Sequence, residues 1–332
     1  EYLEEVNRRA KLASIWSLVG HGSLRTAHAG ARQGALEARQ VDAMEHDLDD
    51  ALAAGACGFS TGFMYAPGSS APREEIVRLL KVVARHNRIY ATHMRSYSFE
   101  LLESLEEQID LARETGVKLQ LSHLQAVGRA NWDKQRKALD AIEKARSTGI
   151  DVEFDIYPYT AGSTVLTQLL PQWTLDGGTD ALLKRLREDR ARIAQETIST
   201  MAQRWEDIYV ASVGSHAGQQ WVGKNFVQIA ETRHLEPVEA VFQLLEEENA
   251  EVNMLSFNQS EDNLRQLIQN PLCTVISDGF YVKGRPHPRL YGAGTESGEP
   301  SALYFHPCCH CVFSFYSGNL YFSLYPLWSN RL

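Results

Sequence analysis

The 332-residue chain is predicted to adopt an α/β fold, an incomplete (β/α)8 TIM barrel with a helical insertion. Three observations predict it. Short apolar runs alternate with amphipathic stretches of helical period, the pattern of βαβ units on a parallel sheet. The runs near 90, 120 and 153 are apolar almost throughout, as strands buried on both faces must be. Three runs finish on a residue able to do chemistry: "ATH" at His93, "LSH" at His123 and "ISD" at Asp278. The carboxyl ends of barrel strands face one mouth, so such residues converge there.

The strand-like runs begin with "SIWSLVGHG" near 14–22, "CGFSTG" at 57–62, "RIYATHMR" at 88–95 and "VKLQLSHL" at 117–124. "IDVEFDIYPY" at 150–159, "DIYVASVG" at 207–214 and "CTVISDG" at 273–279 continue the series. Between them Leu102, Leu105, Ile109 and Ala112 recur at helical steps, as do Ala138, Ile142 and Ala145. Gly116 and Gly149 follow these two helices, where a left-handed C-cap is expected. Residues 165–206 break the alternation with "LTQLLPQWTLDGG" and one long charged helix, expected as an insertion beside the site. "EPVEAVFQLLEEENA" at 236–250 is a further amphipathic helix. A doubly wound open sheet is the alternative, but it requires a glycine-rich loop after its first strand, which the sequence lacks.

A net charge of −9 argues against nucleic acid and acidic membrane surfaces as partners, because both would repel the protein. Three of the five cysteines crowd into "HPCCHC" at 306–311. No spaced disulfide framework results, which fits a reducing, cytoplasmic compartment. The chain opens on Glu1 in helix-like sequence with no signal segment, and reads as part of a longer protein. From Pro300 to Asn330 there is no charged side chain, while Pro307 and Pro326 interrupt any membrane-spanning helix. Residues 1–295 are therefore expected to form the barrel, and 296–332 an unrelated, irregular tail. Structural zinc sites pair their ligands across a loop of roughly a dozen residues or more. The adjacent ligands of "HPCCHC" cannot all point at one ion, so a tail-based zinc module is disfavoured.

Two imidazoles and a carboxylate at a barrel mouth suit a catalytic zinc. Such a metal lowers the pKa of water to ~7 and polarises a carbonyl, and the carboxylate relays the proton to a leaving nitrogen. One isolated histidine at a strand end is ordinarily satisfied by a backbone carbonyl. His93 and His123 at equivalent strand ends, with "ISDG" to follow, favour the metal.

"GFSTGFMYAPGSSA", "YATHMRS", "LSHLQAVGRANW", "DIYPYTAGST" and "ISDGFYVKGRPHPRLYG" also carry a resemblance. In order and spacing, residues 1 to about 294 resemble the N-acyl-D-amino-acid deacylases (D-aminoacylases) of the metal-dependent amidohydrolase superfamily. The resemblance implies an amidohydrolase-type barrel whose fifth, sixth and eighth strands supply His93, His123 and Asp278. It implies that the histidines bind Zn2+ and that Asp278 is the general base and proton shuttle. It implies a pocket for a substrate carboxylate at Tyr157, Ser163 and Arg289, a chemistry that guanidinium and hydroxyl groups supply. The implied reaction is hydrolysis of a small N-acyl-D-amino acid to a carboxylate and a D-amino acid. D-stereochemistry rests on the resemblance alone.

Three departures stand against the pattern. Gln125 occupies the substrate-pocket position where many relatives carry lysine. The family's His-x-His and Gly-Asn-Cys-Gly stretches are not in the sequence; Cys57 is read as a small buried hydrophobe and His21 as a lining residue. The likeness ends near Thr295. Two alternatives stay open: a non-catalytic barrel fragment, and a cyclic-amide hydrolase, against which the lysine-free "GFSTG" counts.

Overall fold

The structure, a computed structural model, describes residues 15–280, His287, Arg289 and the backbone of 309–316 and 319–326. Six strands run parallel: β1 (Ile15–Gly20), β2 (Gly58–Gly62), β3 (Ile89–His93), β4 (Lys118–Leu121), β5 (Val152–Ile156) and, after a long excursion, β9 (Cys273–Val275). Their registers are nearly flush. Phe59 sits opposite Tyr90, Tyr90 opposite Leu119, and Leu119 opposite Val152. The apolar runs thus become rows of side chains buried together, and the carboxyl ends of β3, β4 and β5 finish side by side.

Five helices cover the outer face: α1 (His21–Ala29), α2 (Ala38–Ala53), α3 (Arg73–Arg85), α4 (Leu101–Thr115) and α5 (Lys134–Ser147). Helices α2 to α5 turn an apolar stripe to the sheet, whereas α1 buries His21 and Arg25 beside Leu24; Leu101, Leu105, Ile109 and Ala112 of α4 are all buried. Burying each such aliphatic side chain stabilises the fold by roughly 1.5–3 kcal/mol. Gly116 caps α4 at φ 72° and ψ 14°, the left-handed conformation that a residue without Cβ adopts freely. Gly149 likewise has positive φ, one residue beyond the last turn after α5.

The excursion between β5 and β9 is larger than the helical segment expected over 165–206. Strands β6 (Ala161–Val165), β7 (Ile208–Val213) and β8 (Val252–Phe257) form a separate antiparallel sheet in the order β6-β8-β7. The run at 207–214, read from sequence as one more strand in the alternating series, belongs here. Four helices back this sheet: α6 (Thr179–Glu188), α7 (Arg190–Thr200), α8 (Phe226–Arg233) and α9 (Pro237–Glu247). The single long helix expected from Thr179 is broken at Asp189 into α6 and α7. A second hydrophobic cluster, with Leu186, Ile193, Phe226 and Phe242 fully buried, holds the unit together. Helix α10 (Glu261–Ile268) returns the chain to the parallel sheet.

Beyond β9 the chain pairs β10 (Gly279–Phe280) with β12 (Asn319–Pro326), and β12 with β11 (Cys309–Tyr316), which runs parallel to β1. The tail expected to be irregular thus contributes a hairpin, and β12 lies beside β9 as well. The edges of the parallel sheet are brought round toward each other, as in a barrel wall. The boundary expected near Thr295 lies outside the described residues. Cys311 stands opposite Ile15, at the amino end of β1, so this cysteine sits at the end of the sheet away from His93. No helix among the described residues is long and apolar enough to cross a membrane.

Phe154, fully buried in β5, tests the main core. Phe154→Ala should destabilise the protein by about 3–5 kcal/mol, read as a lower urea midpoint. Ile198→Ala, at a side chain 54% exposed, should shift stability by no more than about 0.5 kcal/mol.

Candidate active site

The carboxyl ends of the parallel strands open into a cavity of about 320 Å³. His93, His123, Gln125, Tyr157, Ser163, Asp278 and Arg289, all singled out from the sequence, line it. The two imidazoles meet with ring centroids 4.6 Å apart. His93 follows directly from the β3 ladder. His123 lies two residues past β4 with φ 35°, a left-handed conformation that costs a non-glycine residue on the order of 1–3 kcal/mol.

That conformation is held by a carboxylate. Asp155, wholly buried on β5, accepts the His123 backbone N–H at 2.7 Å and the Gln120 amide at 3.0 Å. Tyr97 makes a second clamp. Its hydroxyl accepts the Met94 N–H and donates to the Ser122 carbonyl, both at 2.9 Å, tying the segments after β3 and β4 together. Its ring lies 4.8 Å from that of His123.

Burial depresses the pKa of His93 and pulls that of His123 further down, with the neighbouring imidazole adding to the effect. Both rings are therefore neutral near pH 7. The buried Nδ1 of His93 has no hydrogen-bond partner. A neutral imidazole with an unengaged nitrogen is the form that binds a metal ion. The pair fits a divalent cation as two of its ligands. Among the described residues no group of three or more His, Cys, Asp or Glu is placed to hold one. Cys57 does not complete the set. It precedes β2, donates its thiol to the Ser17 carbonyl at 3.1 Å and packs against Leu18 and Ala91. Burial pushes its pKa up to about 12, so it remains a thiol. It is partly rather than fully buried, otherwise the small hydrophobe expected.

Asp278 also has a left-handed backbone, φ 47°, and its carboxylate pairs with the Arg289 guanidinium at 2.7 Å. Arg289 further donates to the Ser163 carbonyl at 3.2 Å and lies over the Tyr157 ring, 4.5 Å from its centroid. It therefore engages Ser163 through the backbone carbonyl. Burial pushes the Tyr157 phenol up to about 12. His21 lines the cavity as expected, but its Nε2 is engaged by buried Glu75 at 2.7 Å, which also pairs with Arg25.

Sequence reasoning missed Asp155, Tyr97, Tyr65, Gln259 and His287. Tyr65 reaches Thr164 of β6 at 3.2 Å and meets the His93 ring edge-on at 6.1 Å. His287 donates to the Ala161 carbonyl through Nε2 and accepts the Arg289 N–H at Nδ1, fixing the backbone beneath the guanidinium. Only Asp155 gave a signal, as one of two carboxylates, with Glu153, in a strand whose other residues are apolar.

Burial lowers the His287 pKa to about 4 from the ordinary 6.5. The unfolded chain therefore binds this proton first. The stability that neutral His287 contributes is complete above pH 6.5 and is lost as the pH falls towards 4, about 3 kcal/mol in all. Between pH 7 and 4 the melting temperature of the protein should fall more steeply than that of His287→Gln. Parallel curves would refute this assignment.

No family model matches the chain. An N-acyl-D-glutamate deacylase from Alcaligenes xylosoxydans xylosoxydans is 30% identical over 295 residues, covering 89% of this chain and 53% of the relative. The solved structure of N-acyl-D-glutamate deacylase from Bordetella bronchiseptica superposes with TM-score 0.72 at 29% identity, over 88% of this chain and 54% of that one. It is complexed with zinc and a phosphonate inhibitor, a mimic of the reaction's tetrahedral intermediate. A D-aminoacylase described as defining a novel subset of amidohydrolases superposes with TM-score 0.65 at 29% identity, over 83% of this chain and 50% of that one. The chain spans about half the length of the curated relatives it matches. Shared sequence, the shared parallel-stranded fold and the convergence of the strand ends agree: over about nine-tenths of its length the chain is similar to N-acyl-D-glutamate deacylases and D-aminoacylases, the latter a subset of the amidohydrolases.

Proposed function

We propose that this chain carries the active site of a zinc-dependent amidohydrolase that cleaves N-acyl-D-amino acids to a carboxylate and a D-amino acid. The observation that carries the reading is the meeting of His93, His123, Asp278 and Arg289 in one cavity. His93 and His123 would hold the zinc. When bound, the metal supplies Lewis acidity toward an amide carbonyl and toward water. Asp278 takes the proton of the attacking water on its carboxylate and returns it to the leaving nitrogen. Arg289, Tyr157 and Ser163, with Gln125 beside them, orient the substrate's far end. Burial raises the Tyr65 pKa, so its phenol stays protonated and can donate a hydrogen bond to developing negative charge.

A non-catalytic barrel fragment is the second reading. The lack of a third ligand among the described residues favours it. Cysteine usage, with Cys57 and Cys273 free, supports a reducing, cytoplasmic location.

Zinc content and turnover decide between the two. Purified protein should retain zinc stoichiometrically and hydrolyse N-acetyl-D-methionine but not its L-isomer. His93→Ala and His123→Ala should lose the metal. Asp278→Asn should keep it while kcat falls about 10²–10⁴-fold. Failure to retain zinc together with no turnover would count for the non-catalytic reading, while full activity in Asp278→Asn would remove Asp278 from the proposed mechanism. Asp155→Ala, which frees the His123 backbone, should weaken zinc binding about 10–100-fold.

A further inference from the structure

We propose that Arg95 is a positioning residue of this site: it fixes the loop after β2 and, through that loop, holds the Tyr65 phenol beside the His93 ring. The inference rests on the reaction proposed above, in which Tyr65 donates to developing negative charge.

Residues 63–71 join β2 to α3 and bring Met64 and Tyr65 to the cavity wall. Short-range backbone bonds close this loop on itself. The Tyr65 N–H donates to the Gly62 carbonyl at 3.0 Å, the Ser69 N–H to the Tyr65 carbonyl at 2.8 Å and the Ala71 N–H to the Gly68 carbonyl at 3.1 Å. The placements of Ser69 and Tyr65 are therefore linked. Arg95, two residues beyond the end of β3, grips the loop. Its Nη1 donates to the Ser69 carbonyl at 2.5 Å and its Nη2 to the Ala71 carbonyl at 3.3 Å. Its guanidinium also lies 4.7 Å from the centroid of the Phe63 ring. One side chain thus holds both ends of the loop. Glu107 on α4 holds Arg95 in turn, accepting its Nε–H at 2.9 Å. The Phe63 N–H donates to the His93 carbonyl at 3.0 Å, which ties the loop to the strand carrying the imidazole.

A planar guanidinium can serve two carbonyls and a carboxylate at once, whereas an ammonium is a point charge without that fork. The partly exposed Arg95–Glu107 pair contributes little to folding stability. Its consequence lies in placement, because a group displaced by about 1 Å from its working position can cost about 10²-fold in rate. The Tyr65 hydroxyl meets Thr164 of the antiparallel unit at 3.2 Å, so the phenol is held at its tip from one side and at its backbone from the other.

Kinetics with N-acetyl-D-methionine and amide hydrogen exchange on the 332-residue protein test the proposal. Arg95→Lys should lower kcat about 10–100-fold while KM and zinc content stay unchanged. Tyr65→Phe should lower the same parameter. The double variant should be no slower than the slower single one, since both act through one phenol. Added methylguanidine should restore part of the kcat of Arg95→Ala and none of that of Arg95→Ala/Tyr65→Phe. In Arg95→Lys the amides of Tyr65, Ser69 and Ala71 should exchange faster, while those of α4 keep their original rates. Losses that multiply in the double variant, a change confined to KM, or unchanged exchange at the three loop amides would each overturn the proposal. Absence of turnover in the unsubstituted protein would sink the proposed reaction alone, and exchange at the loop amides then still decides whether Arg95 holds Tyr65.

Discussion

Asp155 is a carboxylate with no exposure to water, a placement that costs several kcal/mol unless hydrogen bonds replace its hydration. It is compensated by the His123 backbone N–H and the Gln120 amide. That compensation has a geometric result. The chain after β4 is drawn into a left-handed turn, and the His123 ring is presented to the His93 ring instead of continuing along the strand. The Tyr97 hydroxyl fixes the same turn from the other side. The site's spacing therefore depends on a group that faces away from the ligand, which is how a rigid arrangement of two imidazoles can be maintained.

The cavity is built between two cores. One is the parallel sheet with its covering helices, which supplies His93, His123 and Tyr157 from strand ends. The other is the antiparallel unit, which contributes Gly162, Ser163, Thr164 and the segment after β8. Tyr65 reaching Thr164, Gln259 reaching Gln125 and Tyr157, Gln172 donating to the Met64 carbonyl and Trp132 donating to the Asn258 carbonyl are among the hydrogen bonds that cross between them. This division gives the site a low-dielectric environment in which the neutral histidines and the Asp278–Arg289 pair interact strongly.

Much of the fold was legible in the chain because parallel strands buried on both faces leave an unbroken apolar trace. The helices between them leave a 3.6-residue stripe. His93, His123 and Asp278 were legible because a polar residue closing such a strand stands out. The extent of the excursion was not. A strand such as Ile208–Val213 looks the same whether it pairs parallel in the main sheet or antiparallel in another, since pairing partners lie outside the local sequence. Tyr97, Gln259 and His287 escaped for the same reason. Each is ordinary in its own segment, and its role comes from a partner up to about a hundred residues or more away.

The sequence by itself determined the fold class and the residue types able to bind metal or move a proton, His93, His123 and Asp278 among them. Tertiary structure alone decided which of those residues meet and in what protonation state. Arg289 is engaged by Asp278, and the histidines are made neutral by burial. Residue type sets which hydrogen bonds and charges are possible. Burial and through-space distance set which of them are realised, and neither is encoded in the spacing along a strand.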